Sequence, residues 1–196
     1  MHGARLLLVS TDYVFDGKSQ RPYRPDDPPA PLSVYGATKE AGERAALDEL
    51  PDAWVVRVSW LYSPFGKNFM LTMLRLFAER DAVKVVNDQV AAPTCGLTFA
   101  NYLGQFMLFD PPGGIYHFSL AGEASWFDFA EAIREESGVS VNVEPVSTAE
   151  FPSGVERPAY SKLDASSFEE VVGEPLLHWR NALTYCLQTY QNEHNN

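Results

Sequence analysis

A tyrosine and a lysine stand four residues apart in the segment Tyr35-Gly36-Ala37-Thr38-Lys39. Residues at positions i and i+4 of a helix share one face, so a helix here presents a phenol and an ammonium to the same ligand. The neighbouring positive charge favours the phenolate form of a tyrosine. The spacing therefore predicts that Tyr35 acts as a general acid supported by Lys39.

The Tyr35–Lys39 pair could belong to a ligand site or could be a solvated pair on a helix surface. The neighbouring sequence favours the ligand site. An apolar run precedes the pair in sequence and ends in Ser10, Thr11 and Asp12. Ligands of open α/β sheets bind beyond the carboxyl ends of the strands. We therefore expect hydroxyl groups at this strand end to orient a carbonyl group opposite Tyr35.

Apolar runs of strand length alternate with segments of helical spacing along the chain. Residues 5–10 and 54–62 predict strands that are covered on both faces, and residues 33–50 predict a helix capped by Ser33. The elements predicted to continue this alternation are helices at 68–80, 97–109, 125–136 (ended by Gly138) and 179–190, and strands at 83–86, 115–120 and 141–146. Strands separated by helices imply crossover connections, so the predicted fold is α/β with a doubly wound, mostly parallel sheet.

The composition excludes several classes of function. A formal net charge of −11 disfavours contact with nucleic acid or an anionic membrane surface. No apolar run approaches the roughly 18 residues that cross a bilayer. Two cysteines and four histidines form neither a disulfide framework nor a metal-ligand pattern. We expect a cytoplasmic protein that binds no metal.

Six strings in series resemble the dTDP-4-dehydrorhamnose reductases, which are extended short-chain dehydrogenase/reductases. Their order and spacing are similar to that family over nearly the whole chain. The strings are STDYVFDG at 10–17, YGATKEAGE at 35–43, RVSWLY at 57–62, GKNF at 66–69, DQVAAPT at 88–94 and RPAYSKLD at 157–164. Where the family usually has glycine before Pro-Thr, this chain has Ala91-Ala92.

The resemblance implies reduction of dTDP-4-dehydro-L-rhamnose at C4 with NADPH or NADH, which gives dTDP-L-rhamnose for cell-surface polysaccharide. In that reaction Tyr35 would protonate the keto oxygen, Lys39 would hold the nicotinamide ribose, and Thr11 would hydrogen-bond the substrate. The residues predicted to contact the cofactor are Tyr35, Lys39 and Ser10. Those predicted to contact the dTDP-sugar are Thr11, Asp12, Trp60, Asn68, Gln89, Thr94 and Arg157.

The last four sugar-nucleotide residues differ in the chemistry they offer. Asn68 is predicted to open a helix, where an amide and free backbone N–H groups suit a diphosphate. Arg157 would counter phosphate charge in an acidic protein. Bracing of loops remains the alternative role for Gln89, Thr94 and Arg157.

A glycine-rich turn between a strand and a helix, which holds the pyrophosphate in dinucleotide folds, does not occur in this sequence. Relative to the family, the chain resembles the part from the fourth strand onward. Residues 1–120 would be the C-terminal portion of a Rossmann-like domain, with a substrate-contacting insert near 60–80, and residues 121–196 would form a substrate-binding lobe. We expect a bare edge on the first strand. We also expect the chain alone to bind NAD(P)H weakly. The expected protein partner is a second copy, in a homodimer, or a complementing N-terminal piece.

The sequence leaves two other functions open. The missing glycine loop favours a non-catalytic regulatory protein, similar to the regulatory subunit of methionine adenosyltransferase. Another extended-class sugar-nucleotide reductase or epimerase is disfavoured by the strings at 88–94 and 157–164. The remaining tryptophans, Trp54, Trp126 and Trp179, are predicted to pack in the core. The charged residues predicted to form a solvated helix face are Glu40, Glu43, Arg44, Asp48 and Glu49.

Overall fold

The computed structural model describes residues 4–151 and 154–194 of the chain. Its strands are β1 (Leu7–Thr11), β2 (Trp54–Val58), β3 (Leu61–Tyr62), β4 (Ala82–Val86), β5 (Val90–Ala91), β6 (Thr94–Cys95), β7 (Gly114–Phe118), β8 (Ala124–Ser125) and β9 (Asn142–Val146). Its helices are α1 (Val34–Glu49), α2 (Phe69–Glu79), α3 (Gly96–Phe109), α4 (Trp126–Ser137), α5 (Ser166–Val172) and α6 (Trp179–His194). A short 3-10 turn, Asp12–Val14, follows β1 directly.

The central sheet consists of three parallel strands in the order β1-β2-β7. In the middle strand, Val55 lies opposite Leu8 on one side and Ile115 on the other. All five residues of β2 are buried, as expected for a strand covered on both faces. These features confirm the predicted parallel α/β fold. Within the described residues β1 pairs with β2 alone, so β1 forms one edge of this sheet.

Side-chain caps define where α1 and α4 begin. The Ser33 hydroxyl accepts the backbone N–H of Gly36 at 3.2 Å and opens α1, as predicted. Ser125 and Asp128 form a reciprocal capping box at the start of α4. Gly138 ends α4 with a φ of +69°, a left-handed conformation that favours glycine. The predicted boundaries of these two helices are therefore confirmed to within two residues.

The other strands form pairs outside the central sheet. β4 and β9 are parallel, β3 and β6 are parallel, and β5 and β8 are antiparallel. The prediction of one continuous strand over 54–62 is wrong, because Trp60 has a φ of +48° and separates β2 from β3. A left-handed tryptophan costs roughly 1–3 kcal/mol and persists only where its surroundings hold it. The sequence also did not predict α5.

One apolar core joins the central sheet to the outer strand pairs. It includes Val56 of β2, Phe118 of β7 and Phe129 of α4. The β4–β9 pair likewise joins segments on both sides of residue 120, so the domain boundary at that residue stays a prediction. Residues of the predicted domains that lie outside the described part of the chain are 1–3, 152, 153, 195 and 196. No helix within the described ranges is long and apolar enough to cross a bilayer.

Candidate active site

Tyr35, Lys39 and Thr11 line one cavity at the carboxyl end of β1. We call it the tyrosine cavity; its volume is about 280 Å³. Its lining residues are Val9, Ser10, Thr11, Asp12, Tyr13, Tyr35, Lys39, Val58, Trp60, Leu61 and Trp126. The i, i+4 spacing on α1 and the strand-end position of the hydroxyl therefore bring these three groups to one space. Their chemical roles remain predictions.

The Lys39 ammonium is anchored to the strand beside it. Its Nζ atom donates a hydrogen bond of 2.7 Å to the carbonyl oxygen of Val9. An ammonium has three N–H donors, so this bond leaves two that can point into the cavity. The Tyr35 side chain is 54% exposed and meets the ring of Tyr13 edge-on, with the ring centroids 6.0 Å apart. A ligand can therefore approach the Tyr35 hydroxyl from solvent.

A glycine allows α1 to lie close to the turn that follows β1. A Cβ atom at Gly36 would lie 2.1 Å from the carbonyl oxygen of Tyr13. Real Cβ contacts are never this short, so only glycine permits the observed approach. Gly36 thus sets the distance between Tyr35 on the helix and the hydroxyl of Thr11 at the strand end.

The Thr11 hydroxyl is held by the next two residues. It donates to Oδ1 of Asp12 at 3.1 Å and accepts the backbone N–H of Tyr13 at 3.2 Å. The other carboxylate oxygen of Asp12 accepts the Ser161 hydroxyl at 2.6 Å. Burial raises the pKa of Asp12 to about 7, although the hydrogen bonds from Ser161 and Thr11 oppose the rise. Asp12 is 2% exposed, so its side chain contacts protein atoms on most sides.

A buried charge pair lies one helical turn beyond Lys39. The guanidinium of Arg57 donates to both carboxylate oxygens of Glu43, with Nη2 to Oε2 at 2.6 Å and Nε to Oε1 at 2.9 Å. The Ser10 hydroxyl also donates to Glu43. The prediction that Glu43 belongs to a solvated helix face is wrong, because its side chain is only 3% exposed. Glu43 lies four residues after Lys39, so the two side chains share the face of α1 that is turned toward the sheet. There Arg57 of β2 neutralises the charge of Glu43.

His117 completes this network on the far side of Arg57. Its Nδ1 lies 2.9 Å from the carbonyl oxygen of Tyr23, which can only accept, so Nδ1 carries the proton. Its Nε2 lies 3.4 Å from Nη1 of Arg57 and accepts from it. Burial and the charge of Arg57 lower the pKa of His117 to about 3, which keeps the imidazole neutral.

Two stacked tryptophans form one wall of the tyrosine cavity. The rings of Trp60 and Trp126 are nearly parallel, with centroids 3.6 Å apart and an interplanar angle of 8°. The indole N–H of Trp126 donates to Oε1 of Gln89 at 3.2 Å, and Gln89 in turn donates to Thr148 at 2.9 Å. Gln89 thus braces this wall. Trp126 was predicted to belong to the core, yet it is only partly buried and lines the cavity.

Trp126 also lines a second, larger cavity. We call it the cationic groove; its volume is about 780 Å³. Its lining residues are Phe69, Thr72, Met73, Leu76, Arg80, Ala82, Val83, Lys84, Val85, Val86, Gln89, Trp126, Glu144, Phe151 and Arg157. Its charged side chains are three cations, Arg80, Lys84 and Arg157, and one carboxylate, Glu144. The groove is therefore net positive, although the chain as a whole is acidic. Among the described residues Arg157 forms no salt bridge, and its guanidinium remains available to an anion.

The structure does not bring every predicted site residue to these cavities. Asn68 caps α2, with Oδ1 accepting from Leu71 and Nδ2 donating to the carbonyl oxygens of Ser63 and Phe65. Thr94 belongs to β6 and is fully buried. Neither is among the described residues that line the tyrosine cavity or the cationic groove. Ser10 lines the tyrosine cavity, but its hydroxyl is already bonded to Glu43.

Sequence reasoning missed three residues that the structure brings to the site. Tyr13 follows the hydroxyl-bearing strand end, and its inclusion in the string at 10–17 was the available signal. Trp126 directly follows the cap of α4, a position that carries no sign of a ligand contact. Ser161 lies in the string at 157–164, but its contact with Asp12 spans 149 residues of sequence.

A parallel sheet with a tyrosine and a lysine one helical turn apart at the carboxyl end of its edge strand defines an α/β protein of the short-chain dehydrogenase/reductase class. Comparison with known proteins gives the same class and a narrower assignment. The chain belongs to the family described as the RmlD substrate binding domain, whose model matches residues 1–192. This match confirms the resemblance to the dTDP-4-dehydrorhamnose reductases.

Individual relatives agree with this family. The chain is 42% identical over 186 residues to the spore coat polysaccharide biosynthesis protein SpsK of Bacillus subtilis, with 95% of this chain and 65% of that protein covered. It is 44% identical over 188 residues to the dTDP-4-dehydrorhamnose reductase of Streptomyces griseus, with 93% and 62% covered. The chain thus spans less than two thirds of the length of these relatives.

A solved structure matches the fold closely. The crystal structure of dTDP-4-dehydrorhamnose reductase from Bacillus anthracis, in complex with NADP, superposes with a TM-score of 0.91. The two chains are 37% identical, and the match covers 95% of this chain and 66% of the other.

Proposed function

We propose that this chain carries the catalytic groups and the substrate site of a reductase that converts dTDP-4-dehydro-L-rhamnose to dTDP-L-rhamnose with NADPH or NADH. The observation that carries the proposal is the convergence of Tyr35, Lys39 and Thr11 on one cavity. Named reductases among the relatives and the NADP complex of the Bacillus anthracis enzyme support the substrate and the cofactor.

The donor set of the tyrosine cavity fits the nicotinamide riboside end of the cofactor. Two N–H groups of Lys39 are left for ribose hydroxyls, and the apolar side chains of Val9 and Val58 suit the ring. When bound, the cofactor supplies a hydride to the carbonyl carbon of the substrate. The Tyr35 hydroxyl transfers its proton to the carbonyl oxygen and is left as a phenolate, which the Lys39 ammonium stabilises. The Thr11 hydroxyl lines the same cavity and can donate to this oxygen when its proton is not bonded to Asp12.

The cationic groove fits the dTDP part of the substrate. Phe69, Met73 and other apolar side chains offer a surface for the thymine base, and aromatic rings stack well on bases. The positive side chains of Arg80, Lys84 and Arg157 suit the diphosphate, since a chain with a net charge of −11 otherwise repels it. Trp126 lines both cavities, so a sugar attached to this diphosphate reaches Tyr35 past the tryptophan wall.

The groove also bears on the proposed domains. It is lined by residues from the proposed insert near 60–80 and from the proposed lobe after residue 121, and we propose that these segments together form the substrate-binding lobe. We propose that the pyrophosphate of the cofactor is held by a glycine-rich loop contributed by a complementing segment, because this sequence itself contains no such loop. We propose that the reaction takes place in the cytoplasm, because nucleotide sugars and reduced nicotinamide cofactors would be available there.

The test is an assay of the full chain with dTDP-4-dehydro-L-rhamnose and NADPH, in which cofactor oxidation is followed optically. Tyr35→Phe removes the proton donor and should lower kcat by roughly 10²–10⁴. The matched control is Tyr185→Phe, because Tyr185 is an exposed tyrosine on α6 and should leave kcat unchanged. Full activity in the Tyr35→Phe variant would overturn the acid role.

A binding measurement with dTDP tests the groove separately. Arg157→Ala should weaken dTDP binding by roughly tenfold, the loss expected for one charged hydrogen bond. The control is Arg75→Ala, because Arg75 pairs with Glu79 on the exposed side of α2. Binding of dTDP without any reduction would favour the non-catalytic alternative instead.

A further inference from the structure

The single proton of the Thr11 hydroxyl is already used inside the protein. Thr11 donates it to Oδ1 of Asp12, and the oxygen accepts the backbone N–H of Tyr13. A hydroxyl has one donor and two acceptor positions. In this arrangement Thr11 offers the tyrosine cavity a lone pair but no proton. A ketone oxygen, which only accepts, gains nothing from it.

Asp12 is held in place by a distant part of the chain. Its second oxygen, Oδ2, accepts the Ser161 hydroxyl at 2.6 Å. The segment that carries Ser161 is fixed by backbone hydrogen bonds from Ser161 N to the oxygen of Val90 at 2.8 Å and from Tyr160 N to the oxygen of Gly17 at 3.2 Å. The carboxyl group therefore cannot turn away from Thr11 without breaking a buried hydrogen bond.

We propose that Asp12, oriented by Ser161, is a positioning residue whose protonation state decides whether the Thr11 hydroxyl donates to Asp12 or into the tyrosine cavity. An ionised Asp12 keeps the Thr11 proton. A protonated Asp12 donates its own proton to the free lone pair of Thr11, and the Thr11 proton then turns toward the ligand oxygen. The inference rests on the proposed function in one respect, since it takes that oxygen to be the ketone of the substrate.

The burial of Asp12 gives this exchange a useful pH range. Because burial raises the pKa of Asp12 to about 7, both forms are populated near neutral pH. The donor form of Thr11 is complete below that value and is lost as the pH rises through it.

Other titratable groups surround Asp12, and the test must separate them. Tyr35 and Lys39 of α1 line the same cavity as Asp12. Tyr13 lies next in sequence; burial and the charge of Asp12 raise its pKa to about 12, and the charge of Arg157 opposes this rise. Lys162 follows Ser161, and burial lowers its pKa to about 8, but its Nζ donates to the carbonyl oxygens of Leu120 and Gly122. A pH effect on activity is therefore assigned to Asp12 only by variants.

The direct experiment follows the Asp12 carboxyl carbon by NMR as the pH is changed, with Asp12→Asn identifying the signal. The wild-type midpoint should lie near 7. Thr11→Val and Ser161→Ala each remove a hydrogen bond that is stronger to the ionised carboxylate than to the protonated carboxyl group, so each should raise the midpoint by roughly half a unit to one unit. Ser137→Ala is the control, because that hydroxyl bonds to Ile133 within α4 and should leave the midpoint unchanged. A wild-type midpoint below about 5, or one that Thr11→Val does not move, overturns the inference.

The functional experiment compares pH profiles of ketone reduction. In wild type kcat should fall by up to about tenfold for each pH unit above the midpoint, in proportion to protonated Asp12. The side-chain amide introduced by Asp12→Asn donates to Thr11 at every pH, as protonated Asp12 does, so this fall should disappear. Parallel falls in the two proteins overturn the inference. If wild type reduces no ketone at any pH while the NMR midpoints shift as expected, the proposed reaction fails and the coupling of Asp12 to Thr11 stands.

Discussion

Glu43 and Arg57 form an ion pair inside the protein, one helical turn beyond Lys39, with Nη2 and Oε2 2.6 Å apart. The two side chains are 3% and 1% exposed. The pair joins α1 to the central sheet, because Glu43 lies on the helix and Arg57 on β2. Its hydrogen bond from Ser10 extends the connection to β1. The same helix carries Tyr35, so the pair helps to fix the orientation of the proposed proton donor.

Removal of one charge from this pair should destabilise the fold strongly. Glu43→Gln leaves the Arg57 guanidinium buried without a counter-charge, and we expect a loss of about 3–5 kcal/mol in the free energy of unfolding. The control is Glu40→Gln on the same helix, whose pair with Arg44 is largely exposed on the arginine side. That change should cost under about 1 kcal/mol. Equal losses in urea denaturation of the two variants would contradict the structural role of Glu43.

The close approach of α1 to the turn after β1 gives a second prediction. Gly36→Ala places a methyl group 2.1 Å from the Tyr13 carbonyl oxygen, so the helix must move and Tyr35 with it. We expect lower thermal stability and at least a tenfold loss of kcat, an order of magnitude typical of a small misplacement. Gly42→Ala on the same helix meets no atom within 4 Å. It should raise stability by about 0.5–1 kcal/mol and leave activity intact.

The buried His117 should make the protein sensitive to acid. Its pKa is about 3 in the folded protein and about 6.5 when unfolded, so between these values the unfolded chain binds more protons. Its contribution to stability is therefore complete above about pH 6.5 and is lost as the pH falls. His117→Asn keeps a donor for Tyr23 but cannot be protonated. In wild type, His117 should add up to about 1.4 kcal/mol per pH unit to the slope of the free energy of unfolding against pH. The variant should lack this contribution.

The His117 contribution to the slope of unfolding free energy against pH must be measured by comparing variants, because Asp12 changes this slope in the opposite direction. Its raised pKa means that the folded protein holds a proton that the unfolded chain releases above about pH 4, so its contribution falls as the pH rises toward 7. Urea denaturation between pH 4.5 and 6.5, on wild type and His117→Asn, isolates the histidine. Identical slopes in wild type and His117→Asn would rule out a neutral buried imidazole.

The sequence by itself determined the local features of this protein. Helical spacing fixed that Tyr35 and Lys39 share a face, and the Ser33 cap fixed where their helix begins. Apolar runs of strand length determined the parallel α/β fold, because a strand buried on both faces has no polar alternation. The family strings identified Thr11 at the strand end. Each of these signals depends on residues that are near neighbours in sequence.

Only the tertiary structure decided which distant groups meet. The burial of Glu43 depends on an arginine from another strand, and the hydrogen bond of Ser161 to Asp12 closes a separation of 149 residues. The stack of Trp60 on Trp126 needs a left-handed backbone at Trp60 that no propensity predicts. These contacts result from the packing of whole elements, and the free energy that holds them comes from the assembled core. A charged or aromatic residue carries no mark in the sequence of the partner that packing will bring to it.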